Sequence, residues 1–95
     1  LVHAAAGGVG SLAVQIARHS GCRVVGTASA RNHEHVRSLG AEPVEYGDGL
    51  ADRLRELAPE GFDAAFDTVG GEALRVSAET LAEGGRLASI ADSEV

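Results

Sequence analysis

Two rhythms of apolar and polar positions take turns along this chain. Leu1 to Ala5 is a short, nearly continuous apolar run that reads as a strand, and Gly7, Gly8 and Gly10 then crowd into a tight turn. Beyond the turn, Val9, Leu12, Ala13, Ile16 and Ala17 fall at the spacing of one buried helical face, and Ser20-Gly21 ends that helix. Arg23 to Thr27 reads as a second strand. Asn32 is placed to cap a short second helix that runs to Leu39 and closes at Gly40. Glu42 to Tyr46 follows as a third strand, in which Pro43, with no N–H to donate, suits an edge. Asp48 is placed to cap a third helix from Leu50 to Ala58, with Leu50, Ala51, Leu54, Leu57 and Ala58 inward, and Pro59 to Gly61 breaks it. Phe62 to Val69 is a fourth strand. Gly70-Gly71 leads into a fourth helix with Leu74, Ala78 and Leu81 on one face, and after Gly84-Gly85 a fifth strand is expected from Arg86 to Ala91.

Strands separated by single helices run parallel and are joined by right-handed crossovers. The expected class is therefore α/β, a doubly wound parallel sheet of Rossmann type with strand order 3-2-1-4-5. The sixth strand of a full dinucleotide-binding fold is missing from that expectation. A chain of 95 residues supports one domain with one core, and no linker, repeat or low-complexity segment divides it. Since it starts without Met inside a strand, residues 1–95 are expected to be one nucleotide-binding domain cut from a longer, two-domain protein.

Composition narrows the partners. The chain has 14 acidic residues against 8 basic ones, all of them arginine, for a formal net charge of −6. That balance argues against general nucleic-acid binding, which needs a basic face. An anionic ligand must be met locally, by a few arginines and backbone N–H groups. Cys22 alone makes neither an internal disulfide nor a zinc cluster, and fits a reducing compartment. No basic leader is present, and no apolar run approaches the ~20 residues of a membrane span. A cytoplasmic protein with neither a membrane nor a nucleic-acid partner is expected.

The run Ala5-Ala6-Gly7-Gly8-Val9-Gly10 is the pattern G-x-G-x-x-G with alanine in first place. A small residue at Ala5 permits the tight turn, Gly7 lets the backbone approach a pyrophosphate, and Gly10 lets the helix pack hard on the strand. The pyrophosphate would rest on free N–H groups at the positive end of the helix dipole. Alone the pattern is weak; the strand before it and the amphipathic helix and second strand after it give it weight. The competing reading is a helix start that needs glycine only for packing. A site for NAD calls for an acid at the end of the second strand, to hold the ribose 2′-hydroxyl. Gly26-Thr27 stands there instead, and the next acid is Glu34. Ser29 and Arg31 follow, where the 2′-phosphate of NADPH would lie, and a hydroxyl and a guanidinium suit it. NADPH is the expected cofactor; the competing reading leaves Ser29 to begin a helix and Arg31 to solvent.

Several runs in order — Val2 to Gly10, Ala13 to Ala17, Gly26 to Ser29 with Arg31, Leu39 to Ala41, Phe62-Asp63, Asp67 to Gly71 and Gly84 to Leu87 — together resemble the quinone oxidoreductase (zeta-crystallin-like) branch of the medium-chain dehydrogenase/reductase superfamily. The resemblance covers essentially the whole chain. It implies that Gly8 and Val9 meet the pyrophosphate, and that Ser29, Arg31 and Tyr46 meet the 2′-phosphate, with arginine where lysine is common. It implies Thr68, Val69 and Gly70 near the ribose and nicotinamide, and Ser89 and Ile90 on the nicotinamide side. Ala5, Gly7, Gly10 and Thr27 complete the expected cofactor-binding set. Glu42 to Gly49 departs from the branch's pattern, with Pro43 in the strand and Glu45 beside Tyr46, so packing over the sheet edge stands as the other reading of Tyr46. The parent implied is an NADPH-dependent, zinc-independent reductase, a homodimer that passes hydride to a small-molecule quinone, enone or other conjugated carbonyl. Its substrate would sit in a cleft against a separate catalytic domain, so no catalytic residue is expected here and the isolated piece should turn over little. The alternatives are an enoyl reductase domain of a larger synthase and a non-catalytic module that senses NADPH. A zinc alcohol dehydrogenase is disfavoured by the missing acid and the A-A-G-G-V-G turn.

The remaining constellations carry less. His33 and His35 do not share a helix face, so no metal site is expected. His3 reads as buried rather than catalytic, and Asp67 as a structural hydrogen-bonding residue. Ser11 and Ser20 lack a nucleophile's context.

Overall fold

Helix and strand alternate through residues 1–90, the part of the chain that the computed structural model describes. Helix α1 spans Gly8–His19 and strand β1 spans Val24–Thr27. A 3-10 turn at Ala30–Asn32 leads into α2 (His33–Ser38), followed by β2 (Ala41–Val44) and α3 (Leu50–Leu57). Then come β3 (Phe62–Asp67), α4 (Gly71–Thr80) and β4 (Leu81–Ser89). The class is α/β with parallel strands. β1 and β2 pair in parallel from Val24 opposite Ala41 to Thr27 opposite Val44. β3 and β4 pair in parallel from Phe62 opposite Leu81 to Asp67 opposite Ser89, with an irregularity between Phe62 and Ala64. The expected last residue of the fifth strand, Ala91, lies outside the described residues.

The first apolar run is not a full strand. Only Val2 enters the ladder, as a parallel bridge to Gly26 on one side and Phe66 on the other. Its N–H donates to Val25 O at 2.8 Å, its carbonyl accepts the Thr27 N–H at 2.9 Å, and the Phe66 N–H donates to Leu1 O at 2.8 Å. The run ends early because the backbone turns at Ala4, which takes a left-handed φ of 55°. The Gly7 N–H closes that turn onto Ala4 O at 3.0 Å. One residue thus joins the two strand pairs.

The buried faces of two helices differ from the expected ones. In α1 the buried positions are Gly10 and Val14, with the expected Ala13 and Ala17 packed beside them, while Val9, Leu12 and Ile16 are 52%, 57% and 60% exposed. A Cβ at Gly10 would stand 2.1 Å from Ala4 O. The helix therefore leans on the turn through the one residue with no side chain, which fixes its rotation. In α4 the buried residues are Ala73, Val76, Ser77 and Thr80, with Ala78 exposed and Leu81 already in β4. Ser77 and Thr80 can be buried because each hydroxyl donates to a carbonyl one turn back, to Ala73 O and Val76 O at 2.9 Å. Neither expected side-chain cap forms. Asn32 sits in the 3-10 turn, and α3 begins after Gly49, whose φ of 83° glycine adopts at the least cost. The inward set of α3 holds, with Leu50 and Leu54 buried and Ala51, Leu57 and Ala58 packed beside them. Successive strand residues point to opposite faces. Accordingly Val25 joins a core cluster with Leu54 and Phe62, and Val24 joins one with Val14 and Val36.

Candidate functional site

A groove of about 250 Å³ opens where the strands end, between Ala4, Ala6 and Gly7 on one side and Ala28, Ser29, Asn32 and Tyr46 on the other. No carboxylate lines it. α1 starts at its rim. The first bond of that helix is from the Ser11 N–H to Gly7 O at 2.8 Å, so the N–H groups of Gly8, Val9 and Gly10 have no acceptor within the helix. Its first turn holds no acidic residue, so nothing on the helix offsets its positive end. The three glycines divide their work. A Cβ at Gly8 would meet nothing within 4 Å, so the backbone there is open to a visitor. At Gly7 it would come within 3.3 Å of Ala4 O, and at Gly10 it would collide with backbone. Ala5 is fully buried, and its methyl would lie 2.6 Å from a Cβ at Gly26. The glycine that ends the second strand's core is therefore explained by packing.

Thr27 is fully buried and acts as a frame for the groove. Its hydroxyl oxygen lies 2.9 Å from His3 Nδ1 and accepts the Ala4 N–H at 3.2 Å, while its carbonyl accepts the Ala5 N–H and the Tyr46 hydroxyl at 2.9 and 3.3 Å. Ser29 accepts a hydrogen bond from Asn32 Nδ2 at 3.3 Å. Arg31 is exposed on the 3-10 turn and does not line the groove. The loop bearing Tyr46 is held from α3, where the Arg53 guanidinium donates to Asp48 O at 2.8 Å, Glu45 O at 2.6 Å and Tyr46 O at 3.1 Å.

The loop after β3 is tied to the first run, where the Thr68 hydroxyl donates to His3 O at 3.3 Å. Asp67 is fully buried, and burial alone would raise its carboxyl. The N–H groups of Val69 and Gly70, each reaching it at 2.9 Å, and the Ser89 hydroxyl at 2.9 Å outweigh burial and hold it below the usual carboxylate value. Asp67 thereby folds Thr68, Val69 and Gly70 into a bracket and ties it to the end of β4, where the Ile90 N–H also donates to Asp67 O at 3.0 Å. Val69 and Ile90 are 50% and 63% exposed. Of the site residues read from sequence, Gly7, Ser29 and Tyr46 line the groove, Gly8 to Gly10 open the helix that starts at its rim, Thr68 to Gly70 with Ser89 and Ile90 gather around Asp67, Ala5 and Thr27 are buried behind, and Arg31 stands apart in solvent. Asn32 and Arg53 were not among them. Asn32 had a turn residue's signal and was spent on a cap, and Arg53 bonds only to backbone carbonyls, which leave no sequence signal.

A larger hollow, about 680 Å³, lies toward the other ends of the strands beside Leu1, Cys22, Arg23 and Phe62, and none of the expected site residues touches it. Among the described residues, no three of His, Cys, Asp and Glu gather as a metal site, and no helix is long and apolar enough to cross a membrane.

Comparison with known proteins gives this geometry its relatives. Residues 8–94 match the zinc-binding dehydrogenase family. Prostaglandin reductase 1 of Bos taurus is 42% identical over 95 residues, covering 93% of this chain and 28% of that protein. The quinone oxidoreductase of Pseudomonas syringae pv. Tomato DC3000 shares 36% identity and a TM-score of 0.86, over 96% of this chain and 29% of the other. A mycobacterial protein solved in complex with NADPH shares 35% identity and a TM-score of 0.87, over 98% of this chain and 30% of the other. The chain spans less than a third of each of these relatives. It belongs to the zinc-binding dehydrogenase family, in the quinone oxidoreductase-like part of the medium-chain dehydrogenase/reductase superfamily.

Proposed function

We propose that this chain binds NADPH and serves as the cofactor domain of a reductase that passes hydride to a quinone, an enone or a similar conjugated carbonyl. One observation carries the reading: a groove free of carboxylates runs from the open end of α1 to Ser29 and Tyr46. The N–H groups of Gly8, Val9 and Gly10, beside Gly7, suit a pyrophosphate. Ser29 and Tyr46, with Arg31 exposed on the adjoining turn, suit a 2′-phosphate. Thr68, Val69 and Gly70, with Ser89 and Ile90, take the nicotinamide end, and Ala5 and Thr27 frame the site. Bound NADPH supplies the hydride, while the chain's own residues bind and orient it. In this reading the run around Val2 is the middle strand of a sheet ordered 3-2-1-4-5. Zinc has no part in the reaction, a point that rests on the likeness to quinone reductases despite the family's description. The parent is a cytoplasmic homodimer acting on a small molecule. The relatives' activities and the NADPH bound by the mycobacterial neighbour support the assignment.

Calorimetric titration with NADPH and NADH, beside Arg31→Ala, tests it. NADPH should bind at least about tenfold more tightly, a gap of about 1.4 kcal/mol, and the variant should lose most of that gap. Equal affinity for the two cofactors removes the 2′-phosphate assignments. Binding of neither removes the nucleotide reading. In the parent, reduction of an enoyl thioester rather than a quinone would place it with the enoyl reductase domains of synthases.

A further inference from the structure

One imidazole is buried where the segments around the groove cross. His3 is fully buried, with Nδ1 2.9 Å from Thr27 Oγ1 and Nε2 2.8 Å from Ser77 Oγ. The protons follow from the partners. Ser77 gives its one hydroxyl proton to Ala73 O at 2.9 Å, so its oxygen is left to accept from His3 Nε2–H. Thr27 Oγ1 already accepts the Ala4 N–H at 3.2 Å, and its own proton turns to His3 Nδ1. The ring is therefore the neutral Nε2–H tautomer. A protonated ring would aim a second donor at Thr27 Oγ1 and strand the hydroxyl proton. Burial favours the neutral ring as well and outweighs the Asp67 carboxylate on β3, which pulls toward the charged form. The backbone of His3 is engaged too. Its N–H donates to Phe66 O at 3.1 Å, and its carbonyl accepts the Thr68 hydroxyl at 3.3 Å. This one residue joins the glycine turn, the end of β1, the loop after β3 and helix α4.

We infer that His3 is a positioning residue for the nucleotide, its neutral ring held between Thr27 and Ser77 so that the glycine turn, the Thr27–Ser29 corner and the Thr68–Gly70 bracket keep one register. The inference rests on the NADPH reading above. His3 itself touches no ligand, being sealed from the groove. A ring suits the task because it presents a donor and an acceptor at opposite ends of one rigid plane, whereas an amide side chain would satisfy one end at a time.

The test compares two hydroxyls on α4. Ser77 meets His3, while Thr80, also buried and also bonded to a carbonyl one turn back, does not. Ser77→Ala should weaken NADPH binding by about three- to tenfold, Thr80→Val should leave it unchanged, and Ser77→Ala added to His3→Leu, which can bond neither partner, should cost nothing further. Nitrogen NMR of the histidine ring should show the neutral Nε2–H pattern in the wild-type chain and lose it in Ser77→Ala. Equal effects of Ser77→Ala and Thr80→Val, additive losses in the double variant, or a cationic ring at neutral pH overturn the inference. A wild-type chain that binds no NADPH overturns the functional reading instead. The role of His3 is then decided by amide signals: Ser77→Ala must shift those of Gly8 and Val69 and Thr80→Val must not, and unmoved signals end the inference.

Discussion

Gly8 and Gly10 stand two residues apart and answer an added methyl group in opposite ways. At Gly10 the methyl meets backbone atoms of Ala4 and Ala5 that cannot step aside. Gly10→Ala should cost about 2 kcal/mol or more, read as a lower urea midpoint. At Gly8 the space is empty in the free protein, so Gly8→Ala should leave stability unchanged or raise it by up to ~1 kcal/mol. The same methyl would stand where the pyrophosphate is proposed to rest, and NADPH affinity should fall at least about tenfold. Affinity lost without stability at Gly8, and stability lost at Gly10, would separate a ligand's glycine from a packing glycine. Acid should act on two other buried side chains in sequence. His3 resists the proton that an unfolded histidine accepts near 6.5, so its contribution is intact above that value and is lost as pH falls through it. Asp67 is held below the usual 3.8, so its contribution is present above that value and is lost as pH falls below it. The urea midpoint should therefore drop in two stages on acidification, and His3→Gln should remove the first.

At the scale of elements, α3 does more than fill the core, because Arg53 reaches back from it to three carbonyls of the loop after β2. Arg53→Met keeps the stem and releases the loop. It should cost about 1–3 kcal/mol and weaken NADPH more than NADH, since Tyr46 is freed with the loop; melting curves and paired titrations read both effects. The elements also show which physics a sequence records. The inward face of α3 was legible because its anchors, Leu50 and Leu54, are large and its ends are broken by Gly49 and Pro59. The face of α1 was read in part: Ala13 and Ala17 pack on the core, but Val9, Leu12 and Ile16 are exposed because the tightest contact is made by Gly10, and an apolar pattern counts side chains. The face of α4 was misread because Ser77 and Thr80 look polar in sequence yet hide their hydroxyls on their own helix. The turn at Ala4 has no signature at all, since alanine does not announce a positive φ. In the candidate site, the glycine turn and the missing acid after β1 were plain. The contributions of Asn32 and Arg53 were not, because they act on a neighbour's hydroxyl and on carbonyls.

For the molecule as a whole, Val2 is the seam. The two strand pairs meet through the backbone of this single residue and its flanks. Val2→Pro would delete the N–H that bonds to Val25 O at 2.8 Å, in the middle of the sheet where no solvent replaces it. A loss of about 3 kcal/mol or more is expected, seen as a melting transition that is broadened or absent in circular dichroism. The seam also sets a timetable. As a ribosome releases this chain, residue 2 emerges well before either partner. Gly26 offers it one side early, but Phe66 completes the other only after β2 and α3 have appeared. Until then the nascent β1–β2 pair carries an open edge, which is the geometry that recruits stray strands. The stretch around Val2 thus waits for its second partner, and the interval before β3 arrives is when this part of the sheet most needs a chaperone's cover.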